Sequence, residues 1–260
     1  MKFLKTKKNY THQENDQILE EWEKLSIKKG AGKIETDGVA YKGNIHSFKG
    51  VDSNMYHERR EGNEINLWNN SDKRILFVAK ELNDPDNPYD SRVVVRHNPD
   101  RGIYLTNKFL KAMLFITSGL LNSTEKHAAE FNRYESMEKL MADWDKAAVA
   151  KINVKKQPGG STSSFAEISK AMEDYKEFLV KQVKLLNANI IVCCDGRGVI
   201  LNAIKDWVYP NAKQVNDYVW YDKDSETLLI NSYHLSARKS YQSLYDRVIS
   251  SYVDALAKLK

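Results

Sequence analysis

Ile75-Leu76-Phe77-Val78-Ala79 is the stretch on which the fold turns. Its five apolar residues sit between Arg74 and Lys80 and show no alternation of polar and apolar positions. A strand buried on both faces reads this way, and such strands belong to parallel sheets covered by helices on each side. Two further runs have the same character: Ala147-Ala148-Val149-Ala150-Lys151-Ile152-Asn153-Val154 and Ile190-Ile191-Val192-Cys193-Cys194. Helical patterns lie between them. Phe109, Met113 and Ile116 share one helix face from Thr106, with Gly119 as its expected end. An amphipathic helix is expected over Glu135–Trp144. One long helix is expected from Phe165 to about Leu186, with N-caps available in Ser161–Ser164 and Asn187 as its end.

Towards the C-terminus, Asp217–Asp222 and Thr227–Asn231 read as two more strands, and Tyr241–Leu259 reads as a closing helix. Strands alternating with helices predict an α/β fold, a three-layer α/β/α sandwich with a short, mainly parallel central sheet. The text before residue 71 is less core-like. Ile18, Trp22 and Leu25 fit one helix face, and Gly30 and Gly32 end it. Lys33–Asn70 is polar and turn-rich. The expected division is therefore an N-terminal helical or irregular extension over 1–70 and the α/β domain over 71–260. No internal repeat is visible.

Composition narrows the function classes. The chain has 260 residues, 42% hydrophobic and 29% charged, which is globular rather than disordered. Lys and Arg number 40 against 35 Asp and Glu, a net charge of +5. That permits a polyanionic partner without requiring one. The two cysteines are adjacent, which excludes a disulfide framework and any four-cysteine metal or iron–sulfur site. The six histidines lack H-x-x-x-H spacing, so no metal and no cofactor are expected. The start MKFLKTKKNY is followed by no apolar core, and no run reaches the ~20 residues of a membrane span. The expected setting is the cytoplasm, with no membrane partner and a monomer as the default state.

In open α/β sheets ligands bind at the carboxyl ends of the strands. Four segments follow the strands. The first offers Lys80, Glu81, Asn83 and Asp84 and opens a long loop to about Arg101. A carboxylate there is a candidate general base or water-positioning group, or else solvated loop charge. The second offers Asn153, Lys155 and Lys156 before Pro158-Gly159-Gly160. An asparagine amide carries a donor and an acceptor and suits the edge of a base, but it also suits a turn. The third is Asp195-Gly196-Arg197-Gly198, too short for a dinucleotide fingerprint. The fourth is the most suggestive. His234 follows the last strand at once and can donate to a developing anion, while Ser236 and Arg238 can grip phosphate. No phosphate-loop or nucleophile-elbow motif is present, and Cys193 and Cys194 read as inert core thiols.

The order of these segments resembles the uracil-DNA glycosylase superfamily. Ala79-Lys80-Glu81-Leu82-Asn83 stands at the place of its first motif. Ile152-Asn153-Val154-Lys155-Lys156-Gln157-Pro158 is similar to its central Asn-containing segment. His234-Leu235-Ser236 matches two residues of its His-Pro-Ser motif. Asp37-Gly38-Val39 and Phe77-Val78-Ala79-Lys80-Glu81 look like a bacterial uracil-DNA glycosylase-like branch. Leu82 and Leu235 stand where the motifs carry proline, and Glu81 is one methylene longer than the aspartate of one branch.

The resemblance covers roughly residues 72–260. It implies excision of a damaged or deaminated base from DNA, with the base flipped out of the stack. It makes Glu81 the acid, Asn153 the reader of the base edge and His234 the group that stabilises the departing base. Lys80, Asn83, Lys155, Ser236 and Arg238 become substrate contacts. Tyr89 and Tyr104 are candidates for stacking on the base. The alternative function is a non-catalytic protein on the same fold that binds nucleic acid or a nucleotide.

Overall fold

A computed structural model describes residues 9–49, 55–81, 89–93, 108–159 and 164–260. The central element is β4 (Arg74–Ala79), all six residues of which are buried. It pairs in parallel with β5 (Ala148–Asn153) on one side and β6 (Ile190–Cys194) on the other. β9 (Thr227–Ser232) joins β6, again in parallel. The edges are antiparallel. β1 (Gly38–Val39) flanks β5, and β8 (Val219–Asp222) and β7 (Lys213–Asn216) extend the sheet beyond β9. The order is β1-β5-β4-β6-β9-β8-β7, a seven-stranded sheet with a parallel centre, as the apolar runs predict. Away from it, β2 (Ile45–Lys49) and β3 (Met55–Arg59) form a separate antiparallel pair.

The two-residue period of a strand divides the core into two layers. On one face, Ile75, Phe77 and Ala79 pack with α3 (Lys108–Asn122), α4 (Met137–Lys146) and α8 (Tyr241–Lys258). On the other, Leu76 and Val78 pack with α1 (His12–Lys28), α5 (Phe165–Asp174), α6 (Lys176–Leu186) and α7 (Val199–Val208). A short helix, α2 (Glu64–Asn70), adds Trp68 to this second layer. Cys193 and Cys194 point to opposite layers, both fully buried and unbonded to each other. Burial drives both thiols well above their ordinary range. No helix among the described residues is long and apolar enough to cross a membrane.

Three expectations change. The long helix after Ser164 is two helices. Ser164 and Glu167 form a capping box at its start, but Tyr175 leaves helical geometry at φ −127°. Lys29 Nζ takes the Asp174 carbonyl at 3.0 Å, and the Tyr175 ring lies against Trp22 at 5.7 Å. Contacts with α1, remote in sequence, therefore set the break. Second, β7 goes unread in the sequence because its residues are exposed or half-buried and carry little apolar pattern. Third, Gly119 does not end α3, which continues to Asn122. Gly119 is instead a crossing point for α8.

A Cβ at Gly119 would lie 2.6 Å from the Tyr245 ring, which is buried and held by its hydroxyl donating to the Ala129 carbonyl at 2.9 Å. Gly119→Val should therefore lower stability by about 2 kcal/mol or more, read as the shift of the urea midpoint. Gly119→Ala should cost less, because alanine regains ~1 kcal/mol of helix propensity.

Candidate functional site

The carboxyl ends of β5, β4, β6 and β9 lie side by side, and each is followed by polar residues. Ala79 pairs with Asn153, and the ladder runs on past both strands. Val154 N–H donates to the Ala79 carbonyl and Lys155 N–H to the Lys80 carbonyl, each at 2.9 Å. This register sets the Glu81 carboxylate beside Lys155, with which it forms a largely buried ion pair. Gly159 packs directly on that carboxylate and leaves no room for a side chain. Lys80 takes another direction. Its ammonium lies 5.5 Å from the Phe165 ring, which Arg197 also covers at 4.4 Å.

The second wall comes from the N-terminal segment. β1 runs antiparallel to β5, so the residues just before it lie along the end of β5. Glu35 N–H donates to the Lys156 carbonyl at 3.0 Å. The Asp37 carboxylate accepts the Asn153 backbone N–H and the Gln182 amide, each at 2.8 Å, and pairs with Lys156. Glu35 in turn accepts the Asn153 side-chain Nδ2–H. Glu35, Asp37, Asn153, Lys156 and Gln182 have no exposed surface. Burial raises the Glu35 carboxyl to about 7, with Lys151 pulling it back and Asp37 pushing it further up. Three oxygens of this cluster, Glu35 Oε2, Asn153 Oδ1 and Gln182 Oε1, are buried and have no hydrogen-bond partner.

His234 closes the arrangement from β9. Its Nδ1 accepts the Ser236 backbone N–H at 3.3 Å, so the proton of the neutral ring sits on Nε2. Burial, then the Lys80 and Lys151 ammonium groups, lower its pKa to about 4. The imidazole lies 5.6 Å from the Phe109 ring, and Lys151 lies 5.9 Å from that same ring. Lys108 steadies the following turn by donating to the Ala237 and Lys239 carbonyls. Just after β6, Asp195 accepts three backbone N–H groups, from Arg197, Gly198 and Ile200. Its carboxylate holds the turn that leads through Gly198 into α7 and has little acceptor capacity left for a ligand.

The predicted residues therefore fall into three groups. Lys80 acts on His234 through its charge; Glu81 and Lys155 bind each other; Asn153 is locked to the N-terminal segment. Ser236 and Arg238 are exposed on the turn after His234. Asn83 and Tyr104 lie outside the described residues, and the Tyr89 carbonyl is engaged by Thr36 N–H at 3.3 Å. Sequence reasoning missed Glu35, Lys151 and Phe109. A lysine inside the otherwise apolar run Ala147–Ile152 was the visible signal for Lys151. Nothing local marks Glu35. No protein-family model and no curated protein matches the sequence. Among the described residues no cluster of ligating side chains suits a metal ion.

The environment of the two ionisable groups gives a direct check. In a side-chain NMR titration His234 should stay in the Nε2–H form down to about pH 4. The Glu35 carboxyl should titrate near 7, far above an ordinary glutamic acid. A His234 transition near its unperturbed value would mean that the ring is solvated and unsuited to act as a neutral donor.

Proposed function

We propose that this chain is a uracil-DNA glycosylase-like hydrolase of the N-glycosidic bond of a damaged or deaminated base in DNA. The observation that carries the reading is the neutral His234. It sits just after a parallel strand, its Nδ1 occupied by a backbone donor and its Nε2–H left to donate. A neutral donor of this kind stabilises negative charge that appears only as a bond breaks, which is what lowers a barrier. The four strand ends and their residue types also suit the sandwich of that superfamily. The two buried, unpaired cysteines suit a reducing compartment, and we place the protein in the cytoplasm on that ground.

The residues divide the reaction as follows. The flipped base lies beside Phe109, with Asn153 at its edge. The sugar–base bond breaks with its electron pair passing to the base. His234 Nε2–H and the Lys151 ammonium stabilise that anion. Water adds to the cationic sugar carbon and loses a proton, and the base gains one, so charge and atoms balance. Glu81, held by Lys155 and Gly159, orients the water and offsets the positive charge on the sugar. Ser236, Arg238 and Lys80 take the flanking phosphates.

His234→Ala should slow single-turnover cleavage about 100-fold with little change in oligonucleotide affinity, since one such donor is typically worth 10²–10³ in rate. The substrates for that measurement are duplexes carrying uracil, hypoxanthine, xanthine or a mismatch. No base release from any of them would end the hydrolase reading. The second reading, binding of nucleic acid or a nucleotide without cleavage, is favoured by the Lys155–Glu81 ion pair, which ties up the acid.

Salt dependence bears on both readings. A phosphate contact releases condensed counterions, so Arg238→Ala should reduce the slope of log affinity against log salt by about 0.9. A parent protein whose affinity ignores salt would remove nucleic acid from both readings.

A further inference from the structure

An open cavity of about 620 Å³ lies on the side of the sheet covered by α3 and α8, where those helices meet the turn at 131–134. Its walls are aromatic. The Phe115 ring lies 5.0 Å from Phe131 and 5.6 Å from Tyr241. Tyr134 stands at the rim with 87% of its surface exposed. A single exposed ring needs no explanation, but this one borders a cavity whose other walls are rings. The charge around it has one sign. Lys111 and Arg133 line the cavity and no acid does. The Lys108 and Lys111 ammonium groups lie 5.9 and 5.7 Å from the Tyr241 ring.

The cavity adjoins the strand ends. Lys108 donates to the Ala237 and Lys239 carbonyls and so ties the turn that carries Ser236 and Arg238 to the start of α3. Ser240 and Tyr241 follow that turn directly and line the cavity. On α3, Phe109 lies against His234, and Phe115 is less than two helical turns further on. The step is about 9 Å along the axis at ~1.5 Å per residue, comparable to two or three stacked nucleotides at ~3.4 Å each.

We propose that this cavity is a stacking subsite for one unpaired base of the nucleic-acid strand that flanks the site. It rests on the nucleic-acid reading above, but needs neither cleavage nor a damaged base. Every base has a π-face, and aromatic walls accept that face without reading an edge, so the subsite takes any of the four. The base stacks on Tyr134 at the mouth, with Phe131 and Tyr241 as the walls behind it. The phosphates on either side of it meet Lys111 and Arg133. A duplex keeps its bases inside the stack and offers no ring to the cavity. An apolar protein segment would leave two cations facing hydrocarbon, at a desolvation cost that a polyanion does not impose.

The test is binding of a labelled short oligothymidylate and of a blunt duplex of the same length to the full chain, by fluorescence anisotropy over a series of salt concentrations. Tyr134 and Arg133 are both exposed, so their substitution leaves the core intact. Tyr134→Ala should weaken the oligothymidylate about tenfold, the loss of one base–aromatic stack. It should leave the slope of log affinity against log salt unchanged, because no charge is removed. Tyr134→Phe keeps the ring and should keep the affinity. Arg133→Ala should lower the slope by about 0.7, the effect of one phosphate contact on a single strand. The affinity of the blunt duplex should be the same in Tyr134→Ala as in the parent.

The unaltered protein supplies a second measurement. Photocrosslinking to oligothymidylates carrying 5-iododeoxyuridine at successive positions should join one position to Tyr134, Phe131 or Tyr241. Crosslinks confined to other residues, or none, would overturn the subsite. A parent protein that binds neither oligonucleotide ends the nucleic-acid reading and the subsite with it. A parent that binds the single strand as tightly as Tyr134→Ala does overturns the subsite alone, and so does an equal loss on single strand and duplex. A fall in the sedimentation coefficient of DNA-free Tyr134→Ala would also overturn it and make this face a contact between copies of the chain.

Discussion

The Asp37 carboxylate is the contact around which the site is arranged. It accepts from the Asn153 backbone, from the Gln182 amide and from Lys156, and none of these groups reaches solvent. A carboxylate so buried is tolerable only when its oxygens are satisfied. Here the satisfying groups come from β5, from the segment after it and from α6. The contact therefore joins the N-terminal segment, the end of the sheet and the second helical layer at one point. Asn15 completes the join by donating to the Asp37 carbonyl at 2.7 Å and accepting from Gln182 at 3.0 Å. Breaking a buried pair of this kind typically costs about 3–5 kcal/mol, because the remaining charge is left uncompensated.

Once Asp37 is seated, the neighbouring geometry follows. Glu35 lies two residues earlier on the same extended segment and falls against the Asn153 side chain. Asn153 is then held by its main chain and its side chain together, which removes the rotational freedom an exposed amide would keep. Lys151, on the preceding turn of the pleat, projects to the Phe109 side of the sheet. There its charge opposes protonation of His234 and favours ionisation of Glu35. One cation thus keeps the imidazole after β9 neutral and favours the charged form of the carboxyl beside the end of β5.

Basic groups are concentrated at this end of the molecule in a manner the net charge of +5 does not convey. Lys80, Lys151 and Arg197 each lie over an aromatic ring, and Lys108 ties down the turn that carries Ser236 and Arg238. Lys155 and Lys156, by contrast, are paired with acids. Two adjacent lysines in the sequence thus have neither the same exposure nor the same use. Lys155 keeps about a fifth of its side chain exposed, whereas Lys156 has none and lies over the Trp22 ring at 5.1 Å.

The sequence by itself determined the parallel centre of the sheet. β4, β5 and β6 are apolar on both faces, and only a sheet covered on both sides accepts such strands. It also marked the strand ends as the places to look, and with them Glu81, Asn153 and His234. Tertiary structure alone decided what those side chains do. Whether Glu81 is free or paired depends on the register between β4 and β5. Whether His234 is charged depends on the burial and cations around it. Glu35 carries no local signal, because its role arises when β1 lies antiparallel to β5, more than a hundred positions away. The same limit explains the break at Tyr175 and the close approach at Gly119. Periodicity reports which face of an element is apolar, but the partner that packs on that face is set by the chain as a whole.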